Sequence, residues 1–259
     1  MVRPRLIVLV RHGESEGNVD KKVNRVVPNH RIPLTKRGKQ QAHASGRELA
    51  KRLRKTDSIM MYTSPYLRAR QTAQSLAAEL TDFPLTIFEE PRLREQDFGN
   101  FQFPKKEMDR IKDERASYGH FFYRIPNGES AADVYDRVAG LNEALFRQFL
   151  SDNFPDVLVL VTHGIMARVF LMKWFRWSVE RFESLRNIQH CELLVMERQH
   201  SPQYMLSNRL LSWNDNLADL TNEEKDAAEF DIILRRTFKK AVWSRRRVAL
   251  SRPHSVLLL

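Results

Sequence analysis

The chain has 259 residues, 42% of them apolar, a formal net charge of +11 and one cysteine; that is enough for one substantial core and excludes an intrachain disulfide. Its apolar runs are too short for a membrane span, and the run at residues 6–10 lacks the small-residue cleavage site of a secretory leader. A cytoplasmic chain is expected, with the nucleus as the other reducing compartment.

In chain order, residues 6–10 (LIVLV) form a continuous apolar run ended by a polar, glycine-containing turn, the pattern of a strand buried on both faces. Residues 35–54 place Ala42, Gly46, Leu49, Ala50 and Leu53 at helical spacing behind Thr35 as N-cap. Residues 59–62 are a second buried strand, a helix follows from about 65 to 80, and 85–88 are a third strand. After a polar, aromatic-rich stretch over 98–128, Val134, Val138, Leu141, Leu145 and Phe149 mark a helix within 131–150. Residues 157–161 have the strongest strand character, 165–175 are helical, and 192–196 and 204–206 are closing strands. Cys191 fits an ordinary strand thiol beside apolar Leu193. Such alternation predicts an α/β fold, a three-layer α/β/α sandwich with a mostly parallel central sheet.

The strand signals end before residue 222, so a domain over 1–221 and a basic segment over 222–259, solvated or a peripheral helix, are expected. From Arg235 to Arg252 the chain holds eight basic residues and no acidic one. Such a segment offers a weak site for an anionic partner, lipid or nucleic acid, against the plainer reading of a solvated terminus.

Ligands of an open α/β sheet bind beyond the carboxyl ends of its strands. Three such ends carry matching chemistry: Arg11-His12-Gly13-Glu14-Ser15, Thr63-Ser64-Pro65 with Arg68, and Thr162-His163-Gly164. A neutral imidazole attacks phosphorus, and guanidinium groups match phosphate oxygens bidentately. No His-x-x-x-His pair, carboxylate cluster or Gly-x-x-x-x-Gly-Lys loop accompanies them, so no metal and no nucleotide cofactor is implied.

The run Leu9-Val10-Arg11-His12-Gly13-Glu14-Ser15 followed by Asn18 resembles the signature of the histidine phosphatase superfamily, branch 1, also called phosphoglycerate-mutase-like. Further motifs recur in the family's order: Pro33-Leu34-Thr35 with Gly38 and Gln41, Ser64 to Ala73, Leu93 to Gly99, Pro126 to Ser130 and Val161 to Gly164. Similarity spans about residues 5–206, and some stretches are similar to a plant and fungal subgroup of acid-phosphatase-like proteins. The resemblance implies His12 as nucleophile, Arg11, Arg68 and His163 as phosphoryl ligands, Asn18 as a further phosphate contact, and Glu95 as the acid that protonates the leaving oxygen. Arg25 is a candidate substrate contact or a solvated loop charge, and Ser130 a substrate contact or a helix N-cap. His30, His43, His120, His190, His200 and His254 match no motif and are expected to be surface or core residues.

The implied activity is metal-independent hydrolysis of a small phosphomonoester through a phosphohistidine. Mutase activity and a non-catalytic or trafficking role on the same scaffold are the alternatives. Mutases of the family carry a longer insertion where this chain has residues 98–127, and a tyrosine where it has Phe98, which favours hydrolysis. Lys105, Lys106, Arg110 and Arg115 in that cover suit an acidic substrate, whereas Phe121, Phe122 and Tyr123 suit an apolar one; a solvated helix face and a loop anchor are the plainer readings.

Overall fold

The computed structural model describes residues 3–198, 203–213 and 215. The expected basic segment over 222–259, with its boundary, lies outside the described residues, as do His200 and His254. In chain order the elements are β1 (Leu6–Arg11), α1 (Glu16–Val19), α2 (Lys36–Ala50), β2 (Ile59–Thr63), α3 (Leu67–Ala77), β3 (Leu85–Glu89) and α4 (Lys105–Tyr118). They continue with α5 (Ala131–Gln148), β4 (Val157–Thr162), α6 (Gly164–Phe175), α7 (Val179–Ser184), β5 (Leu193–Arg198) and β6 (Tyr204–Leu206).

The six strands form one sheet in the order β3-β2-β4-β1-β5-β6. β4 runs parallel to both β1 and β2, β2 parallel to β3, while β5 is antiparallel to β1 and to β6. Strand side chains alternate between faces, and the alternation builds two cores. Ile7, Leu9, Leu158 and Leu160 pack under α5 and α6 with Val138, Leu141 and Phe170. Leu6, Val8, Val10, Val157 and Val159 pack under α2 and α3 with Leu49, Ala73 and Leu76. The expected three-layer sandwich is thus formed, and β1 and β4 are apolar up to their last residues, Arg11 and Thr162, because both their faces are covered.

Capping fixes where the helices begin. Thr35 accepts from Gly38 N–H at the start of α2, and Ser130 forms a reciprocal capping box with Asp133 at the start of α5. Three helices lie where no helical stripe marks the sequence, among them the four-residue α1. In α4 just Ile111 and Ala116 are buried, too few for a periodic apolar signal, and α7 is six residues long. Among the described residues no helix is long and apolar enough to cross a membrane.

From β1 the chain steps through α2, β2, α3 and β3, then returns along the other face through α5 to place β4 between β2 and β1. The carboxyl ends of β1, β4 and β2 therefore lie side by side where the winding reverses, the place where such sheets bind ligands.

Candidate active site

His12 follows β1 directly and is almost wholly buried. Its Nδ1 lies 2.7 Å from the Gly13 carbonyl oxygen, which only accepts; Arg68 Nε, which only donates, lies 3.1 Å from its Nε2. Those partners fix the tautomer: Nδ1 carries the proton and Nε2 keeps its lone pair. Burial, reinforced by Arg68, His163 and Arg11, holds the imidazole neutral well below its ordinary range.

The loop around His12 is braced by the motif residues that follow. Gly13 N–H donates to Thr72 Oγ1 (3.1 Å), Glu14 N–H to Gln41 Oε1 (2.9 Å), and Thr35 Oγ1 to Glu14 Oε1 (2.8 Å). Backbones touch here: a Cβ on Gly13 would come within 2.3 Å of the Gly38 carbonyl oxygen, and one on Gly38 within 2.0 Å of the Glu14 carbonyl oxygen. Both positions need glycine for close approach.

Arg68, in the first turn of α3, is buried, donates to the Asn29 carbonyl oxygen (2.6 Å) and lies 5.0 Å over the Tyr66 ring. Arg11 donates to the Ile188 carbonyl oxygen. Asn18, the third residue of α1, reaches back to the N-cap Ser15, its Oδ1 accepting from Ser15 N–H (2.9 Å) and Ser15 Oγ (2.7 Å). His163 is fully buried behind His12, ring centroids 5.1 Å apart, with Nε2 2.8 Å from Ser64 Oγ and Nδ1 without a hydrogen-bond partner. Glu95 stands across the α6 start: its carboxylate accepts from Met166 N–H (3.1 Å) and Ile165 N–H (3.4 Å), the anion-favouring end of that helix.

Arg11, His12, Asn18, Arg68 and Glu95 thus line one cavity of about 760 Å³. Arg25 does not: it is exposed in a short 3-10 helix. Ser130 is the N-cap of α5 and lies outside the cavity. Two residues expected elsewhere belong to the cavity wall. His190 donates from Nδ1 to the His12 carbonyl oxygen (2.9 Å), its ring 5.6 Å from that of His12, and burial pushes it down to about 3. Cys191 is not in a strand: it precedes β5 at φ 60°, its N–H donating to the Arg11 carbonyl oxygen (2.9 Å), and burial pushes its thiol up to about 12. The signal was the direction of β5. An antiparallel strand beside β1 brings the residues before it to the edge that the parallel strands reach at their carboxyl ends.

Around His12 the arrangement offers an imidazole lone pair, fixed guanidinium donors and a carboxylate within one cavity, the equipment for transfer of a phosphoryl group. Among the described residues no group of three or more His, Cys, Asp or Glu is arranged to hold a metal ion.

The chain belongs to the histidine phosphatase superfamily, branch 1, whose family model matches residues 7–216. It is 38% identical to the broad-range acid phosphatase DET1 of Saccharomyces cerevisiae, over 85% of this chain and 93% of that protein. It is 39% identical to the phosphoglycerate mutase-like protein AT74H of Arabidopsis thaliana, over 87% of each. Among solved structures, mycobacterial hydrolase 1 superposes with a TM-score of 0.64 at 24% identity, over 81% of this chain and 100% of that one. A mycobacterial glucosyl-3-phosphoglycerate phosphatase superposes with a TM-score of 0.62 at 23% identity, over 82% and 100%. These two likenesses establish the fold.

The buried neutral histidines make stability sensitive to acid. His12 and His163 are held well below their ordinary range, and His120 and His190 lie at about 3. Unfolded imidazoles bind protons near pH 6.5, so between there and the folded values the unfolded chain binds more protons. Folding stability is therefore full above about pH 6.5 and falls as acid is added, by at most about 1.4 kcal/mol per pH unit for each histidine. Denaturant melts between pH 7.5 and 4.5 check this; an unchanged midpoint contradicts it.

Proposed function

We propose that the chain is a metal-independent phosphomonoesterase that works through a phosphohistidine on His12. The observation that carries the reading is the fixed tautomer of His12, which keeps Nε2 unprotonated on a ring in the wall of a cavity rich in fixed cations. In the first step Arg68 Nε–H leaves Nε2 for a phosphoryl oxygen, the freed Nε2 lone pair forms a bond to phosphorus while the ester P–O bond breaks, and the leaving oxygen takes a proton from Glu95. Water then attacks phosphorus, the P–N bond breaks, phosphate departs, and Glu95 regains its proton from the water. Arg11 and Arg68 neutralise the phosphoryl oxygens, as positive groups do in phosphoryl transfer. His163 does not line the cavity; with its Nε2 accepting from the Ser64 hydroxyl, its Nδ1–H serves as a further donor to a phosphoryl group seated against the His12 ring in front of it. Asn18 has its amide NH2 for the same purpose. Arg25 takes no part in this scheme.

The DET1 relative, described as a broad-range acid phosphatase, and residue-level cover over 98–127 short of a mutase insertion both favour hydrolysis. The decisive assay follows phosphate release from a broad panel of phosphate esters without added metal, with isomerisation of 3-phosphoglycerate run alongside. Phosphate release unaffected by a chelator is expected. Isomerisation without release points to a mutase, and neither reaction to a non-catalytic role.

We assign the chemistry to residues 1–221 and a cytoplasmic or nuclear place to the chain. A protein ending at residue 221 is expected to hydrolyse p-nitrophenyl phosphate with kcat/KM within about twofold of the full chain, because the basic segment offers charge without a periodic apolar pattern. Loss of folding on truncation would move the boundary.

A further inference from the structure

A second cavity, of about 260 Å³, adjoins the first and shares Glu95, Phe98 and Asn187 with it. Its walls come from α4, α6 and α7. Met108, Ile111, Ile165, Phe182 and Trp213 give it an apolar side, and Lys112, which pairs with Asp109 at 3.1 Å, lies on its rim. Set among them is Arg115. Its Nε is shut off from solvent without a hydrogen-bond partner, and its Nη2 reaches just two neutral acceptors, Gln96 Oε1 at 3.3 Å and the His120 carbonyl oxygen at 3.4 Å. No carboxylate among the described residues forms an ion pair with it.

The carboxylates in the wall are engaged elsewhere. Glu183 accepts from Phe121 N–H (3.0 Å), and Glu95 is held by the first turn of α6. Arg168 lines the same cavity, donating to the Leu185 carbonyl oxygen (2.9 Å), and its charge adds to that of Arg115. Burial pulls Arg115 down to about 10, which leaves it cationic at neutral pH, and pushes His120 down to about 3, so that this ring contributes no charge. Glu95 and Glu183 offset part of its charge from a distance, but a guanidinium whose shielded Nε–H has no acceptor and which forms no ion pair is costly, and an anion entering the cavity offsets that cost.

Building on the phosphatase reading, we propose that this cavity is the leaving-group subsite, and that Arg115 binds a carboxylate or phosphate carried by an otherwise apolar leaving group. Glu95 lines both cavities, so an ester whose phosphoryl group meets His12 extends past Glu95 into the second one. A cavity of roughly 150 Å³ admits benzene. One of about 260 Å³ has room for a ring with a short acidic arm.

The test compares 3-(4-phosphooxyphenyl)propanoate with its propanamide, two esters of matched shape that differ in charge at the end of the arm. The full chain is expected to favour the acid by about tenfold or more in kcat/KM, and Arg115→Met to bring the ratio close to one. Turnover of p-nitrophenyl phosphate reports whether the reaction itself runs in each protein. A ratio of one in the unaltered chain overturns the subsite whether or not the variant folds, and so does a preference that survives in folded R115M. Should R115M not fold, Arg115→Lys replaces it, with a reduced preference expected and an undiminished one overturning the assignment. If no ester is hydrolysed, the phosphatase reading fails separately. Equilibrium binding of the two esters then decides the subsite: tenfold tighter binding of the acid sustains it, and equal binding overturns it.

Discussion

Replacing His12 with alanine is expected to lower turnover of every phosphate ester by about 10⁴-fold or more, the scale on which enzymes lose a nucleophile. The fold should survive. The substitution leaves Arg68 Nε without its acceptor at 3.1 Å, a loss of about 1–3 kcal/mol and a few degrees of Tm, while removing one buried polar ring from a cationic cavity. Rapid quenching at alkaline pH with labelled substrate should trap phosphate on the unaltered chain, in an adduct stable to alkali and lost in acid, and trap none on H12A. A folded H12A protein that retains activity, or an adduct stable to acid, would mean that another side chain carries the phosphoryl group.

Glu95→Gln is expected to discriminate between leaving groups. An alkyl alkoxide departs only when protonated, whereas p-nitrophenolate is stable enough to leave alone. Loss of kcat/KM should reach about 10²-fold for an alkyl phosphate and stay much smaller for p-nitrophenyl phosphate. The parameter matters, because kcat/KM covers the steps up to formation of the phosphohistidine and kcat includes its hydrolysis, which all esters share. The amide of glutamine can still accept from Met166 N–H, so the hold on α6 is kept in part. An equal loss for both substrates would make Glu95 a bracing residue. Of the other nearby acids, Glu14 lines the cavity while accepting from Thr35, and Asp97 lies outside it, accepting from Gly99 N–H at 2.9 Å.

How far the sequence could be read depended on how each residue is held. β1 and β4 were legible because covering both faces demands an unbroken apolar run, and α5 because one face demands a stripe. His12, Arg11 and Arg68 could be assigned to one place because they lie at or just beyond strand ends, whereas Glu95 was assigned through the family resemblance. The Gly13 and Gly38 contact and the Thr35, Gln41 and Thr72 hydrogen bonds give those motifs a physical reason. α4 was hidden because its burial is slight and charged residues fill the rest of it. His190 and Cys191 were hidden because their place depends on the direction of β5, which no local pattern encodes.

The attachment of Glu95 to α6 has a bearing on how substrate range can change. The helix that receives its carboxylate begins at the residue after His163, so the proposed acid and the buried imidazole are tied to the same helix end, set by the central sheet. The cover is held differently: α4 is fourteen residues long and rests on two buried side chains. Sequence drift in α4 therefore reshapes the room around the leaving group without altering the spacing of the reacting atoms, and a lineage can take up new esters by rewriting one lightly anchored helix.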